Sequence, residues 1–238
     1  MLILKKPWTR QPQGQARLAS SSLTRRITSL FPLNGSPFEV ISGKQLTLGS
    51  GGSFGIDQRG FSLRGSGAAA CASIPLNLAA SNKLSVSFWM YWDTFANDDH
   101  LALELTSSFV SNAGGWIAAP NNSNTRFQFA TRPGAATYHA ASFTRPSAAT
   151  WHHYAFTFDR TAASTAAGCK AWVNGVAQSL TSDLSGAGDS TNFANSTLYL
   201  FSRNNASHLG AGRMANLVLR GGYRMTEQEA LQEYREPW

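Results

Sequence analysis

Trp151, His152, His153 and Asp159 stand together in the stretch WHHYAFTFDR. Adjacent imidazoles near a carboxylate suggest a metal centre or an acid–base pair. The spacing argues against both, because side chains on an extended backbone alternate faces with a period of two. His152, Tyr154, Phe156 and Phe158 then share one face, and Trp151, His153, Ala155, Thr157 and Asp159 share the other. The two imidazoles point apart and cannot close on one ion. The stretch reads as a strand and His153 as a hydrogen-bonded structural group, with metal ligation or a pH-dependent contact as the alternative.

Trp116, in NAGGWIAAP, is the residue best suited to hold a ligand. It lies among small residues and just before the polar run NNSNT. An indole there can stack on a sugar ring while Asn121 and Asn122 bond its hydroxyls. The competing reading is a core tryptophan, the commoner fate of that side chain. His208, Asp189 and any of many serines can be assembled on paper into a triad, but that abundance carries no information, and the Gly-x-Ser-x-Gly elbow is absent. Cys71 and Cys169 fit no zinc spacing and are expected as reduced, buried thiols, with a disulfide left open.

The elements that must position these residues are short and β-like. Hydrophobic residues make up 42% of the 238, with 7 Trp, 14 Phe and 6 Tyr, enough to fill a large core. Only 14% are charged, against a usual ~25%, so Ser, Thr, Asn and Gly must cover the surface. Candidate strands fall at 26–35, 60–67, 68–76, 83–95, 100–107, 115–120, 125–131, 138–143, 151–159, 196–203 and 212–223, with GSGGSFG read as a Gly-rich turn. KLSVSFWMYWDTF carries large residues on both faces and belongs at a sheet centre. CKAWVNGVAQSL reads as a hairpin about Asn174-Gly175. Thr226 and Glu229 form a capping box for one closing helix, with Pro237 as its stop.

The charge is uneven. Residues 1–38 hold Lys5, Lys6, Arg10, Arg17, Arg25 and Arg26 and no acid, which leaves +1 of the net +7 for the remaining 200 residues. A basic arm reaches for acidic protein surface or nucleic acid. Leu2, Ile3, Leu4 and Trp8 add apolar anchors, and Pro7 and Pro12 favour extended backbone. The weakly charged body, without basic–aromatic interleaving, argues against nucleic-acid binding there. The opening MLILKKPWTRQPQ lacks the pattern of a secretory signal. No run approaches the ~18 apolar residues of a membrane span. Synthesis in a host cytoplasm is the expectation.

LSVSFWMYW, WHHYAFTFDR with KAWVNGVAQ, and GRMANLVLRGGYRMTEQEALQEYREPW resemble the laminin-G-like, concanavalin A-like jelly rolls across about residues 26–238. The last piece, with its Thr-x-x-Glu helix and terminal Pro-Trp, and the opening KPWTRQPQ are similar to versions carried by tailed bacteriophages. The resemblance implies an all-β fold: a two-sheet antiparallel jelly-roll sandwich over 26–225. An extended basic arm, 1–25, precedes it, and a short helix at 226–238 packs on it. Phage membership implies a virion component.

Such domains often hold calcium or a sugar at a loop edge, where many carry an Asp before an early Ser-Gly turn. Here VISGK puts Ile41 there. Asp93, Asp98 and Asp99 are the remaining carboxylate candidates for calcium, although acidic loops without a ligand are commoner, and no cofactor is expected. Some relatives are glycosidases. Glu104 is the only glutamate between residues 40 and 226, and along one strand Asp98 would sit ~20 Å from it, whereas a catalytic pair needs roughly 5–10 Å.

The sequence therefore points to a non-enzymatic virion structural protein, capsid- or tail-associated, anchored through Lys5, Lys6, Trp8, Arg10 and Arg17. Other virion proteins or further copies of itself are the expected partners. The alternative is a lectin-like adhesin for host glycans using Trp116, Asn121 and Asn122.

Overall fold

A computed structural model describes residues 27–95, 100–120, 125–134, 137–162, 165–184 and 191–236. In chain order its strands are β1 (Ser29–Phe31), β2 (Thr47–Leu48), β3 (Gly52–Asp57), β4 (Gly60–Ser66), β5 (Ala72–Asn77) and β6 (Lys83–Trp92). Then follow β7 (Leu103–Leu105), β8 (Trp116–Pro120), β9 (Arg126–Gly134), β10 (Thr137–Thr144) and β11 (Trp151–Asp159). A one-turn helix α1 (Thr165–Gly168) precedes β12 (Cys169–Val173), β13 (Val176–Ala177), β14 (Thr181–Leu184), β15 (Asn195–Leu200) and β16 (Ala211–Gly221). Helix α2 (Glu227–Arg235) closes the described chain.

The strands form two sheets with every pairing antiparallel. One runs β13-β12-β11-β6-β16-β4-β3, with β1 also on β16; the other runs β14-β10-β9-β8-β7-β15-β5-β2. This is the expected all-β sandwich. β6 sits at the middle of its sheet for the reason read in its sequence. Val86, Phe88, Met90 and Trp92 enter the core, and Ser85, Ser87 and Trp89 are buried on the other face as well.

Aromatic rings fill the space between the sheets. Phe156 of β11 stacks on Phe129 of β9 at 5.5 Å, and Tyr154 lies 4.7 Å from Phe127. Asn174 and Gly175 take φ of 52° and 77° and turn β12 into β13, as the Asn-Gly pair predicts. Thr226 caps α2, with Glu229 returning the bond to its backbone. Cys71 and Cys169 are free buried thiols, each pushed up to about 12 by burial.

The Gly-rich stretch before Ile56 departs from expectation. Its first residues do turn, the Gly52 N–H reaching the Gly49 carbonyl at 3.0 Å, but from Gly52 onward it forms β3, the edge strand beside β4. The glycines are there for closeness. A Cβ on Gly52 would meet the Cys71 carbonyl oxygen at 2.1 Å, and one on Gly51 the Ala69 carbonyl oxygen at 2.3 Å. Alternation is invisible where side chains have been removed to let another chain segment pass. β14 and the short α1 were also not foreseen.

Candidate functional site

The outer face of the sheet built on β6 is divided by α2. The helix lies over Ser85, Ser87, Trp89, His153, Ala155 and Trp172. Glu233 bonds Ser87 and Arg220, Ala230 packs with Ala155 and Trp172, and Tyr234 stacks on Trp89 at 5.5 Å. His153 is sealed in this layer, 5.3 Å from Trp89, and burial, helped by the Arg59 charge, pulls its imidazole down to about 3. It is a neutral structural group. His152 faces the other way, with Nδ1 3.2 Å from the Asn174 amide nitrogen. The two histidines form no common site.

The next row of the same face is not covered by the helix. Trp151 on β11 is the register partner of Tyr91 on β6, Tyr91 of Arg213 on β16, and Arg213 of Arg64 on β4. All of these are half-buried, and at ~4.8 Å per strand the row is about 14 Å long. The Trp151 and Tyr91 rings meet at 5.8 Å and 60°, and the Arg213 guanidinium lies 4.3 Å over Tyr91. Arg213 is held between two carboxylates, Asp57 and Asp93, each at 3.7 Å. Tyr91 is covered by a cation, so Trp151 is the ring left to offer a face.

The β3–β4 turn adds a further cation. Asp57 accepts the Arg59 backbone N–H at 2.8 Å and the Ser62 hydroxyl at 3.2 Å, and Gly60 supplies φ of 109°. The turn thereby places Arg59 across the small Ala215, its guanidinium 3.1 Å above Trp89 and 5.9 Å from Trp151. Burial lowers this guanidinium to about 10, with Asp57 and Tyr234 opposing. An aromatic face flanked by guanidinium forks and carboxylates suits a ring with an apolar face and polar edges.

A model of the family described as the concanavalin A-like lectin/glucanases superfamily matches residues 64–219. The chain belongs to the concanavalin A-like lectin/glucanase superfamily. Solved structures of similar fold include domain 4 of AbnA, an extracellular arabinanase from Geobacillus stearothermophilus, in complex with arabinotriose. Its TM-score is 0.62 at 17% identity, covering 87% of this chain and 97% of that one. The receptor-binding domain of botulinum neurotoxin type G gives 0.63 at 14%, covering 88% and 51%. Trypanosoma rangeli sialidase, in complex with 2,3-difluoro-KDN, gives 0.62 at 13%, covering 89% and 32%. The chain thus spans about half of the toxin domain and a third of the sialidase. No match was found among curated protein sequences.

In this lectin/glucanase domain the residues singled out from sequence are scattered. Trp116 is fully buried, 6.2 Å from Phe156 in the core, and corrects the expectation of a stacking platform: it has no face to present. Its strand, β8, turns Ile117 and Ala119 outward instead. Asn121 and Asn122 lie outside the described residues, as do Asp98, Asp99, Asp189, Pro237 and the arm with Lys5, Lys6, Trp8, Arg10 and Arg17.

Asp93 serves Arg213, and among the described residues no group of three or more His, Cys, Asp or Glu is arranged to hold a metal. The early Ser-Gly turn is held by Glu39, whose carboxylate accepts the Leu30 and Ile41 N–H groups at 2.8 Å. Glu104 is fully buried, accepting from Arg203 Nε at 2.9 and 3.0 Å and from the Phe109 N–H. Trp151 and Tyr91 were visible in the sequence as aromatics of two strands, with no sign of which face turned outward or that the strands are neighbours. Arg59, Arg64 and Arg213 carried no such signal.

Proposed function

We propose that the chain is a carbohydrate-binding module that takes its ligand on the outer face of the helix-bearing sheet. Trp151 is the stacking platform, Tyr91 backs it, and Arg213, Arg59 and Asp93 bond the ring's edges. The observation that carries the reading is the open Trp151–Tyr91–Arg213–Arg64 row on a domain of the lectin/glucanase superfamily. The similar structures support it from outside, since the matched arabinanase domain holds arabinotriose and a matched toxin domain is a receptor-binding one.

Binding without catalysis fits the same geometry. A glycosidase needs two carboxylates roughly 5–10 Å apart, one of them able to give up a proton. Glu104 is enclosed by Arg203 and backbone, and Asp57 and Asp93 share one arginine. A glycan array followed by calorimetry tests the reading. Wild-type protein should bind a defined sugar set, and Trp151→Ala should lose at least about 10-fold in affinity while remaining folded. Absence of binding to any sugar overturns it.

The phage setting implied by the terminal motifs would make such a module a host-facing part of the particle. Arm residues 1–25 would hold it to another virion protein.

A further inference from the structure

We infer that this face takes a single sugar ring, the terminal residue of a glycan, and not the interior of a chain. The inference rests on the carbohydrate reading above and adds which part of a glycan is bound.

Beside one another on β6 and β11, three large rings turn to the outer face: Trp89, Tyr91 and Trp151. Two of them are already covered. The Arg59 guanidinium lies 3.1 Å above the Trp89 ring, Tyr234 stacks on the same ring at 5.5 Å, and Trp89 is buried between them. The Arg213 guanidinium lies 4.3 Å over Tyr91. Asp57 and Asp93, each 3.7 Å away, hold Arg213 in place, so uncovering Tyr91 gives up three contacts at once. Trp151 is different. It meets Tyr91 at 5.8 Å with a 60° tilt, and Arg59 stands 5.9 Å off without covering it. The exposed phenylalanines do not lengthen this platform. Phe61 shares the inner face of β4 with core Leu63, and Phe38 bridges Gln45 ahead of β2, in the other sheet.

A polymer bound along its length needs successive stacking surfaces, and one free ring holds one sugar. The walls around Trp151 also decide where that sugar sits in its chain. A residue inside a chain is linked on two sides, so an axis across it must be open at both ends. Along β11 the axis over Trp151 is closed by α2, whose Tyr234 lies 6.3 Å from His153, two residues or ~6.6 Å further on. Across the strands it is closed at Tyr91, one spacing of ~4.8 Å away, by the raised Arg213 guanidinium. The opposite ends are open, toward Asp93 and past β11, where β12 pairs only from Tyr154 onward. Each axis therefore admits a linkage on one side and blocks it on the other. That suits a chain end.

The test measures affinity against chain length. Methyl glycosides and linear six-unit chains of arabinose, xylose, mannose, glucose, galactose and sialic acid are titrated into the full chain by ligand-observed NMR. In a series that binds, the six-unit chain should bind within about 3-fold of the methyl glycoside per mole, since each offers one terminal ring. A chain read along its length gains with every further register and stacked ring. A larger gain than that overturns the inference and leaves carbohydrate binding standing. Arg213→Ala uncovers Tyr91, so there the ratio of long to short should rise by at least about 3-fold, and a ratio cancels what both ligands lose. An unchanged ratio in folded variant means that Arg213 is not the stop, and the inference falls; the wild-type ratio decides alone if the variant does not fold. Trp151→Ala should lose at least about 10-fold for both lengths. If it keeps them, the ring sits elsewhere and the inference falls. Binding in none of the six series overturns the carbohydrate reading and this inference with it.

Discussion

Arg220 and Glu233 pair beneath α2 with only 2% of either side chain exposed. The contact joins β16 to the helix, and Ser87 of β6 adds its hydroxyl to the same carboxylate. Burial raises the Glu233 carboxyl and the Arg220 charge opposes it. Removing one member strands the other. Glu233→Leu or Arg220→Met should each cost about 3–5 kcal/mol in urea unfolding, and the double variant distinctly less than their sum.

His153 makes stability depend on pH. Its folded-state value, about 3, lies below the ordinary 6.5. Between those values the unfolded chain binds a proton that the folded chain refuses. Stability from this group is complete above about pH 6.5 and declines as pH falls toward 3, by on the order of a few kcal/mol over the window. Urea midpoints of wild type and His153→Phe, taken at several pH values from 3 to 7, should show the flatter slope in the variant. Parallel slopes would remove the histidine from the account.

Two tryptophans should behave oppositely. Trp116→Ala empties a core site and should cost about 3–5 kcal/mol without changing the sugar preference of protein that still folds. Trp151→Ala removes a half-buried surface ring, so it should cost much less stability while weakening binding. Thermal melts paired with calorimetry separate the two effects.

Gly52→Ala should destabilise by at least about 1–3 kcal/mol, because its Cβ would run into the Cys71 carbonyl 2.1 Å away. Gly43, at φ 69° with nothing within 4 Å, is the control for backbone conformation without a clash. Gly43→Ala should cost only the left-handed strain, about 1 kcal/mol. Equilibrium unfolding of both variants checks the ordering.

If the basic arm anchors the protein in a particle, deletion of residues 2–24 should leave the sandwich folded and abolish incorporation. Normal occupancy of the truncated protein in purified particles would refute the anchoring.

Alternation and turn chemistry were enough to read most strands, the Asn174-Gly175 hairpin, the Thr226 cap and the parting of His152 from His153. These depend on neighbours a few residues away, and local geometry carries them. Which face is inside is a different matter. β6 and β11 bear aromatics on both faces, so no periodicity says that Tyr154 and Phe156 enter the core while Trp151 stays out. β8 offers Trp116 and Ile117 with equal plausibility, and packing between sheets chose the tryptophan for the core.

The site lay further still from local signals. It needs Arg59 from a turn, Tyr91 and Asp93 from β6 and the loop after it, Trp151 from β11 and Arg213 from β16. The chain separations are long, and only strand order and register bring them together. Even the glycines of β3 have their reason in Cys71, a residue that passes close only after folding. The sequence alone determined most of the segments that are strands, though not β3 or β14. The tertiary structure decided what they face, because facing is a property of pairs of strands rather than of either one.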